Sequence, residues 1–305
     1  MLKRIARRYG LRAAVLVYFG MLVIVPVGAI VYRAFAPGFA TAWRNMVNPN
    51  GTGSADFVHA FVLTLEVLAI AVLLNAAFGV ISALVLARRR FWGSRLFDAA
   101  IDLPVAVSPV VVGLSLILVY GRTNGWFGNW LAKEGVEVIF SIPGIIIASA
   151  FISLPYVTRA VLPVLQEIGT TQEEAAATLG AGPWQIFWRV TFPSIRWGLA
   201  YGVTLTAARV LGEFGAVSVV SGNISGRTQT LTLYVSQLFD SFDTSGADMG
   251  ALALALLTLV LLAALSIAGT REGSESWRSR FWTSRRRRAR KMPSSALTSP
   301  SPSAL

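Results

Sequence analysis

The sequence contains no cysteine and a single histidine, His59. A chain without cysteine forms no disulfide framework, and the scarcity of both residues excludes Cys/His zinc sites. The same scarcity argues against Ser-His-Asp and Cys-His nucleophile arrangements. Carboxylates do not replace them, because Asp240, Asp243 and Asp248 lack the spacing of a calcium-binding loop. The sequence therefore predicts no catalytic residue, no metal site and no cofactor.

Charged residues are also few. They make up 14% of the 305 residues, whereas 54% are hydrophobic and the mean hydropathy is +0.61. Soluble domains carry about a quarter charged residues, so the composition indicates a membrane protein. Six hydrophobic segments, each close to the roughly 20 residues that cross a bilayer core, predict an all-α bundle of six transmembrane helices. These segments cover residues 11–32, 60–87, 103–120, 142–165, 198–220 and 249–268.

The net charge of +12 is distributed unevenly along the chain. Lys and Arg concentrate before the first segment, between the second and third, between the fourth and fifth, and after the sixth. Short cytoplasmic loops are enriched in these residues, so we expect both termini in the cytoplasm and residues 222–248 outside. The expected organisation is a cytoplasmic segment at 1–10, a multi-pass membrane domain at 11–270, and a basic, disordered cytoplasmic tail at 271–305.

The tail contains the run RRRRARK, which would indicate a nucleic-acid patch in a soluble protein. Its position after the last membrane helix favours topology-determining charge and contact with anionic lipid instead. We therefore expect the lipid bilayer, and no nucleic acid, as the partner of this tail.

One stretch between the fourth and fifth hydrophobic segments has a different composition, EEAAATLGAGPWQIFWRVTFPSI. Thr171 and Glu174 have the spacing of a capping box, which predicts that a short helix begins there. Gly180 is placed to end that helix in a left-handed conformation. Pro183 suits the first position of a second helix. The stretch thus predicts a helix, a sharp bend and another helix in the cytoplasm.

The second helix has an aromatic face of residues at helical spacing: Trp184, Phe187, Trp188 and Thr191. We expect it to stop at Pro193, which has no backbone N–H to donate. The alanine face of the first helix would let another protein approach closely, and the aromatic face would hold the stretch to its own bundle or to the membrane interface. The residues alone leave two interpretations equally open, a docking site for a partner protein and an ordinary interfacial loop.

The stretch resembles the signature loop of permease subunits in bacterial ABC importers. Glu174-Ala175-Ala176 is followed at the family's distance by Gly180 and then by a Val-Thr-Phe-Pro motif that ends at Pro193. Val and Phe stand there where Ile and Leu are usual. The resemblance implies the type I ABC importer permease fold, in which these residues belong to coupling helices that dock on an ATP-binding subunit.

A narrower resemblance covers most of the chain. DLPVAVSPVVVGL, SIPGIIIASAFISLPYVTRAVLPVL and ARVLGEFGAVSVVSG are similar to stretches of sulfate/thiosulfate permease subunits, in particular the W-type partner of a T/W pair. Molybdate permeases share much of this sequence, and GNISGRTQT is as similar to the molybdate type as to the sulfate type. A homodimeric molybdate or tungstate permease is therefore the alternative, although the AVSVVSG run favours sulfate.

The resemblance implies a complex of several subunits in the bacterial cytoplasmic membrane. This chain, with a coupling loop at about 167–197, would form half of the path for sulfate and thiosulfate. Its partners would be a T-type permease, two ATP-binding subunits and an extracytoplasmic sulfate-binding protein. ATP hydrolysis is expected in a partner, because no lysine follows a glycine as a P-loop requires. We thus expect a transport subunit that is not an enzyme; a membrane-embedded enzyme and a scaffold that binds through the basic tail are the alternatives.

Two ionisable residues lie within the fifth hydrophobic segment, where a charge is costly and indicates function. Arg209 and Glu213 are four residues apart and can face one another on one side of a helix. Three interpretations stay open: a structural ion pair near a gate, direct lining of the anion path, or contact with the partner permease. Arg159 and Glu66 lie nearer to helix ends and are expected to snorkel or cap, and His59 is expected as an interfacial anchor.

A permeation path must bind its anion weakly enough to release it, so no cage of basic residues is required. Hydroxyl groups and backbone amides at helix breaks are sufficient donors for an oxyanion. The candidate donors are Ser108, Ser218, Ser221 and Asn223. High affinity would reside in the separate binding protein, as the resemblance implies.

Reporter fusions test the predicted topology. A reporter that is active only in the cytoplasm should work when it is fused after residue 270 and fail when it is inserted within 222–248, because the basic loops stay inside. A reporter that is active only outside should give the reverse pattern. An external carboxyl terminus would contradict the six-helix arrangement.

Overall fold

Every regular element that the structure describes is a helix, as the composition predicts. The structure is a computed structural model and describes residues 2–47, 55–89, 91–123 and 125–270. In chain order the helices are α1 Leu2–Phe35, α2 Phe39–Val47, α3 Ala55–Arg88, α4 Ser94–Ala106, α5 Pro109–Tyr120, α6 Gly128–Lys133, α7 Ile142–Ile168, α8 Thr171–Thr178, α9 Pro183–Ile186, α10 Phe192–Leu211, α11 Gly215–Ser221, α12 Leu231–Asp240 and α13 Thr244–Thr270. One π-helical turn, Phe187–Thr191, joins α9 to α10.

Four helices are long and apolar enough to cross a membrane: α1, α3, α7 and α13. They confirm the first, second, fourth and sixth predicted segments, although α1 also includes residues 2–10, which sequence analysis assigns to a separate segment. Two further spans are bent pairs, α4 with α5 at 111° and the helix that ends in α10 with α11 at 57°. Counted in this way, the described part of the chain has up to six spans. The predicted tail at 271–305 lies outside the described residues.

The third hydrophobic segment is not one continuous helix, so the prediction for 103–120 is wrong. Val107 and Ser108 are extended, with ψ angles of 141° and 133°. Proline disfavours a helical conformation in the residue before it and has no N–H to continue the helix. The chain therefore turns sharply before Pro109, where α5 starts as a new helix.

The bundle has two distinct ends. At the α8 end, α3 and α7 finish together, and Arg88 of α3 donates a 3.2 Å hydrogen bond to the Leu165 carbonyl of α7. At the opposite α12 end, the Tyr234 hydroxyl of α12 donates a 2.6 Å hydrogen bond to the Met46 carbonyl of α2. Burial raises the pKa of Tyr234 to about 12, above the ordinary value for a tyrosine. The short helices thus cover both ends of the bundle.

The centre of the bundle is α7, which packs between α3 and α10. Val157 of α7 is fully buried there between a glycine of each neighbour. A β-carbon on Gly79 of α3 would lie 2.5 Å from Val157 Cβ, and one on Gly202 of α10 would lie 2.8 Å from Val157 Cα. Small residues allow membrane helices to approach to backbone contact, and these two do so on both sides of α7.

Replacement of Gly79 by alanine tests this packing. The added methyl group has no room beside Val157, and overpacking of this kind costs about 1–3 kcal/mol, so Gly79→Ala should unfold at a lower temperature in detergent. Gly28→Ala in α1 is the matched control, because nothing lies within 4 Å of the added carbon. Equal unfolding temperatures for the two variants would contradict the close packing.

Candidate coupling segment and helix-bend site

The helix α8 begins at Thr171 and ends at a left-handed glycine, and the sequence predicts both features. Gly180 has a φ of +84°, which residues with a β-carbon rarely adopt. A 3.1 Å hydrogen bond from the Ala181 N–H to the Ala176 carbonyl closes the helix end in the Schellman arrangement. The predicted capping box is wrong, because Thr170 is the N-cap and no side-chain oxygen caps the first turn.

Pro193 does not stop the second helix, contrary to the prediction. The preceding π-turn closes with a hydrogen bond from the Phe192 N–H to the Phe187 carbonyl, one residue wider than an α-helical turn. This width relieves the clash between a proline ring and the carbonyl before it that would otherwise break the helix. One helix therefore continues from Pro183 to Leu211. The stretch predicted as a coupling loop, about residues 167–197, thus leads directly into the fifth span, and we call it the coupling segment.

The predicted aromatic face is present in the second helix. The ring centroid of Trp188 lies 5.6 Å from that of Trp184 and 5.3 Å from that of Phe187. Phe192 extends this cluster, with its ring 5.0 Å from Trp188. Phe187 packs against the core of α3 and α7, whereas Trp184 is 71% exposed. The cluster thus fixes the second helix to the bundle and leaves one aromatic surface open.

The helix α8, the first of the two short helices, has no comparable contact with the core. None of its eight residues is buried. Glu174 and Ala175 are exposed and Ala176 is half-buried, so the residues of the predicted docking face are open to a partner. A helix this short is unstable in isolation, where about 12–15 residues are needed even for good helix formers. Contacts from outside α8 must therefore hold it in place.

Sequence analysis does not predict that Arg88, Glu173 and Thr191 hold α8. Arg88 Nε and Nη2 lie 3.0 and 3.1 Å from the Glu173 carboxylate oxygens. The Thr191 hydroxyl donates a 2.8 Å hydrogen bond to the same carboxylate. Arg88 also donates to the carbonyls of Leu165 at 3.2 Å and Gly169 at 2.8 Å. We call this cluster of five residues the Arg88 anchor.

Sequence analysis gives little indication of this anchor. Arg88 is the first of three consecutive arginines, which sequence analysis interprets together as loop charge. Its side chain is only 17% exposed, and its carboxylate partner Glu173 lies 85 residues further along the chain. No local pattern connects residues so far apart.

A second site lies where α10 meets α11, and the prediction of one helix over 198–220 is wrong there. Arg209 and Glu213 form the ion pair that their spacing predicts, with Arg209 Nη1 2.6 Å from Glu213 Oε2. Glu213 Oε1 accepts a 2.9 Å hydrogen bond from the Ala216 N–H in the first turn of α11. The carboxylate is only 3% exposed, and it stabilises the bend by pairing with α10 and capping α11.

The break before α5 lies beside this bend. A β-carbon on Gly215 would lie 2.9 Å from Pro109 Cβ, so the first turns of α11 and α5 are in contact. Ser108 is the exposed N-cap of α5 and adjoins this contact. We call Ser108, Arg209 and Glu213 the helix-bend site, because two interrupted spans bring these residues to one region.

The other predicted donors do not join Ser108. The Ser218 hydroxyl donates to the carbonyl of Gly215 in its own helix, at 2.9 Å. Ser221 is buried at the α12 end, where its hydroxyl oxygen accepts a 3.1 Å hydrogen bond from the Asn223 N–H. The side-chain Oδ1 of Asn223 accepts a 3.1 Å hydrogen bond from the Gln229 side-chain amide. The structure thus distributes the predicted donors over the length of α11.

Arg159 has a role that sequence analysis assigns wrongly. The prediction is a snorkelling or capping side chain, but Arg159 joins α7 to α4. Its Nη1 lies 2.7 Å from Asp98 Oδ1 and its Nη2 lies 2.5 Å from Asp102 Oδ2. The two carboxylates stand four residues apart on α4, so one guanidinium pairs with both.

The comparison with known families accounts for this arrangement of helices. Residues 75–271 match the family described as binding-protein-dependent transport system inner membrane component. The chain belongs to this family of multi-pass membrane transport subunits.

Two relatives and one solved structure show in more detail which transport proteins this chain is similar to. The chain is 48% identical over 266 residues to the sulfate transport system permease protein CysW of Synechocystis sp., which covers 87% of this chain and 94% of that protein. It is 37% identical to the sulfate transport system permease protein CysT of Escherichia coli, over 85% of this chain and 91% of that protein. A solved bacterial ABC transporter for alginate import shares the fold with a TM-score of 0.74 at 18% identity, over 89% of this chain and 97% of that chain.

Proposed function

We propose that the chain is one of two permease subunits of an ATP-driven importer for sulfate and thiosulfate. The observation that carries this proposal is the 48% identity to a CysW sulfate permease along 94% of that protein. The lower identity of 37% to a CysT protein favours the W-type position in a T/W pair. A T-type permease, two ATP-binding subunits and an extracytoplasmic sulfate-binding protein complete the proposed complex.

The α8 end faces the cytoplasm in this proposal. Arg88, Arg189 and Arg196 belong to that end, and short cytoplasmic loops are enriched in such residues. Both termini are then cytoplasmic, and the basic tail lies beside anionic lipid rather than nucleic acid. The α12 end is the side from which a binding protein delivers the anion.

The coupling segment docks on an ATP-binding subunit. The open face of Glu174, Ala175 and Ala176 offers one carboxylate and two methyl groups, so a second rigid surface can approach closely. The bend at Gly180 sets the angle between this face and the helix that continues past Pro193 into the fifth span. Because the chain has no Gly-Lys-Ser/Thr motif, the partner hydrolyses ATP and the permease receives the resulting movement.

The helix-bend site is the proposed gate on the anion path. Glu213 alone would repel a dianion, but its ion pair with Arg209 leaves the bend nearly neutral. Ser108 adds a hydroxyl at the start of α5, where the first N–H groups of a helix attract anions. Such a site binds weakly, as permeation requires.

Transport by the whole complex tests the proposed cargo. Reconstituted vesicles with both permeases, the ATPase facing the lumen and the binding protein outside should take up labelled sulfate when ATP is enclosed, and excess thiosulfate should compete. Vesicles without this chain are the control and should take up none. Competition by submicromolar molybdate, with none by thiosulfate, would replace the proposal with a molybdate permease.

Substitution at the bend tests the coupling segment. A valine at Gly180 must adopt a φ of +84°, which strains the backbone by about 1–2 kcal/mol and disturbs the orientation of α8. Gly180→Val and the bulky Ala176→Trp should both reduce co-purification of the ATPase and sulfate uptake severalfold, at normal abundance in the membrane. Gly182→Ala is the matched control, since Gly182 has a φ of −71° and open space around it. Normal ATPase binding and uptake for both variants would identify the segment as an ordinary interfacial loop.

A further inference from the structure

We propose that Arg88 is the positioning residue through which movement of α8 reaches the membrane helices; this inference rests on the proposed coupling to an ATP-binding subunit. Three observations support it: Glu173 of α8 pairs with Arg88, the Arg88 guanidinium donates to the end of α7, and α3 and α7 are in backbone contact further along.

The anchor is the polar attachment of α8 to the bundle. Because α8 buries no residue, packing does not fix its orientation. Among its side chains, Glu173 contacts the bundle: it pairs with Arg88 and accepts a hydrogen bond from Thr191. The neighbouring Glu174 remains exposed, so one carboxylate faces the bundle while the next faces a partner. A force on the open face of α8 is therefore transmitted to the bundle at Glu173.

Arg88 distributes that force over two spans. Its backbone belongs to the last turn of α3, while its Nη1 and Nη2 donate to the Leu165 and Gly169 carbonyls at the end of α7. Helix ends leave carbonyls without partners inside the helix, and a cation there also interacts favourably with the helix dipole. One planar guanidinium on α3 thus caps the end of α7 and also pairs with Glu173 of α8. Lysine cannot reproduce this geometry, because its ammonium is a single point of charge.

The pair α3–α7 then carries the movement into the membrane. Further along the same two helices, Gly79 and Val157 meet at backbone contact, so α3 cannot slide past α7. Val157 in turn contacts Gly202 of α10. Displacement of α8 by a partner therefore moves three central helices together rather than bending one loop.

Variants of the assembled complex test this role. In Arg88→Met, the bend at Gly180 and the open face of α8 are both unchanged, so the ATPase should still co-purify, and basal ATP hydrolysis per bound ATPase should stay within twofold. Stimulation by loaded binding protein should fall at least fivefold, and Arg88→Lys should restore less than half of it. Arg89→Met is the matched control at the adjacent exposed arginine and should leave the stimulation unchanged.

The double variant Arg88→Met/Glu173→Met separates positioning from stability. It leaves no unpaired carboxylate in the partly buried cluster, and replacement of both partners of an ion pair by apolar residues is often neutral for stability. A merely structural role predicts that the double variant regains stimulation, and this result would overturn the proposal. A positioning role predicts that the double variant folds well but stays uncoupled.

A distance measurement decides the matter whatever the cargo is. The chain has no cysteine, so spin labels can be placed at Thr178→Cys on α8 and Ile81→Cys on α3, both exposed. Their distance distribution should be at least twofold broader in Arg88→Met and in the double variant than with Arg88. An unchanged width, or a broader one with full stimulation, would overturn the inference. Absence of stimulation in the unaltered complex would instead count against the proposed function alone.

Discussion

A bilayer offers no water to a backbone that leaves its helix, so each interruption of a span must satisfy its own N–H and C=O groups. The structure solves this problem in several ways. The π-turn before α10 keeps its hydrogen bonds and widens by one residue. The bend before α11 gives an N–H to the buried carboxylate of Glu213. Arg88 supplies donors to the last carbonyls of α7. In two of these three places, a charged side chain satisfies the backbone, Glu213 at the bend and Arg88 at the end of α7.

The same constraint applies to the charged side chains themselves. A buried carboxylate is costly unless it is paired and hydrogen-bonded. Glu213 is both, because it pairs with Arg209 and accepts a hydrogen bond from the Ala216 N–H. Arg159 follows the same principle between α7 and α4, with two carboxylates around one guanidinium. Arg209 and Arg159 each link two helical elements through these ion pairs. Hydrophobic contact alone would allow such elements to rotate or slide.

Local signals predicted much of the fold and of the coupling segment. Hydrophobic length located the uninterrupted spans, and the glycine signal gave the bend at residue 180 correctly. The i to i+4 spacing of Arg209 and Glu213 predicted their ion pair. The errors at Pro109 and Pro193 share one cause: whether a proline breaks a helix depends on the turn before it, and neighbouring structure decides that turn. The Arg88 anchor escaped prediction because its partners are distant in sequence.

The π-turn also sets the angular phase of the coupling segment. Each residue of an α-helix advances the chain by about 100° around the helix axis, so one residue more or less in a turn rotates everything on one side of it relative to the other. Here the extra residue lies within the aromatic cluster, between Trp184 and the face of α10 on which Gly202 meets α7. With an ordinary turn at this point, Trp184 would be rotated by about 100° around the helix axis relative to Gly202. The one extra residue therefore sets the rotation of the segment before it relative to the membrane helices.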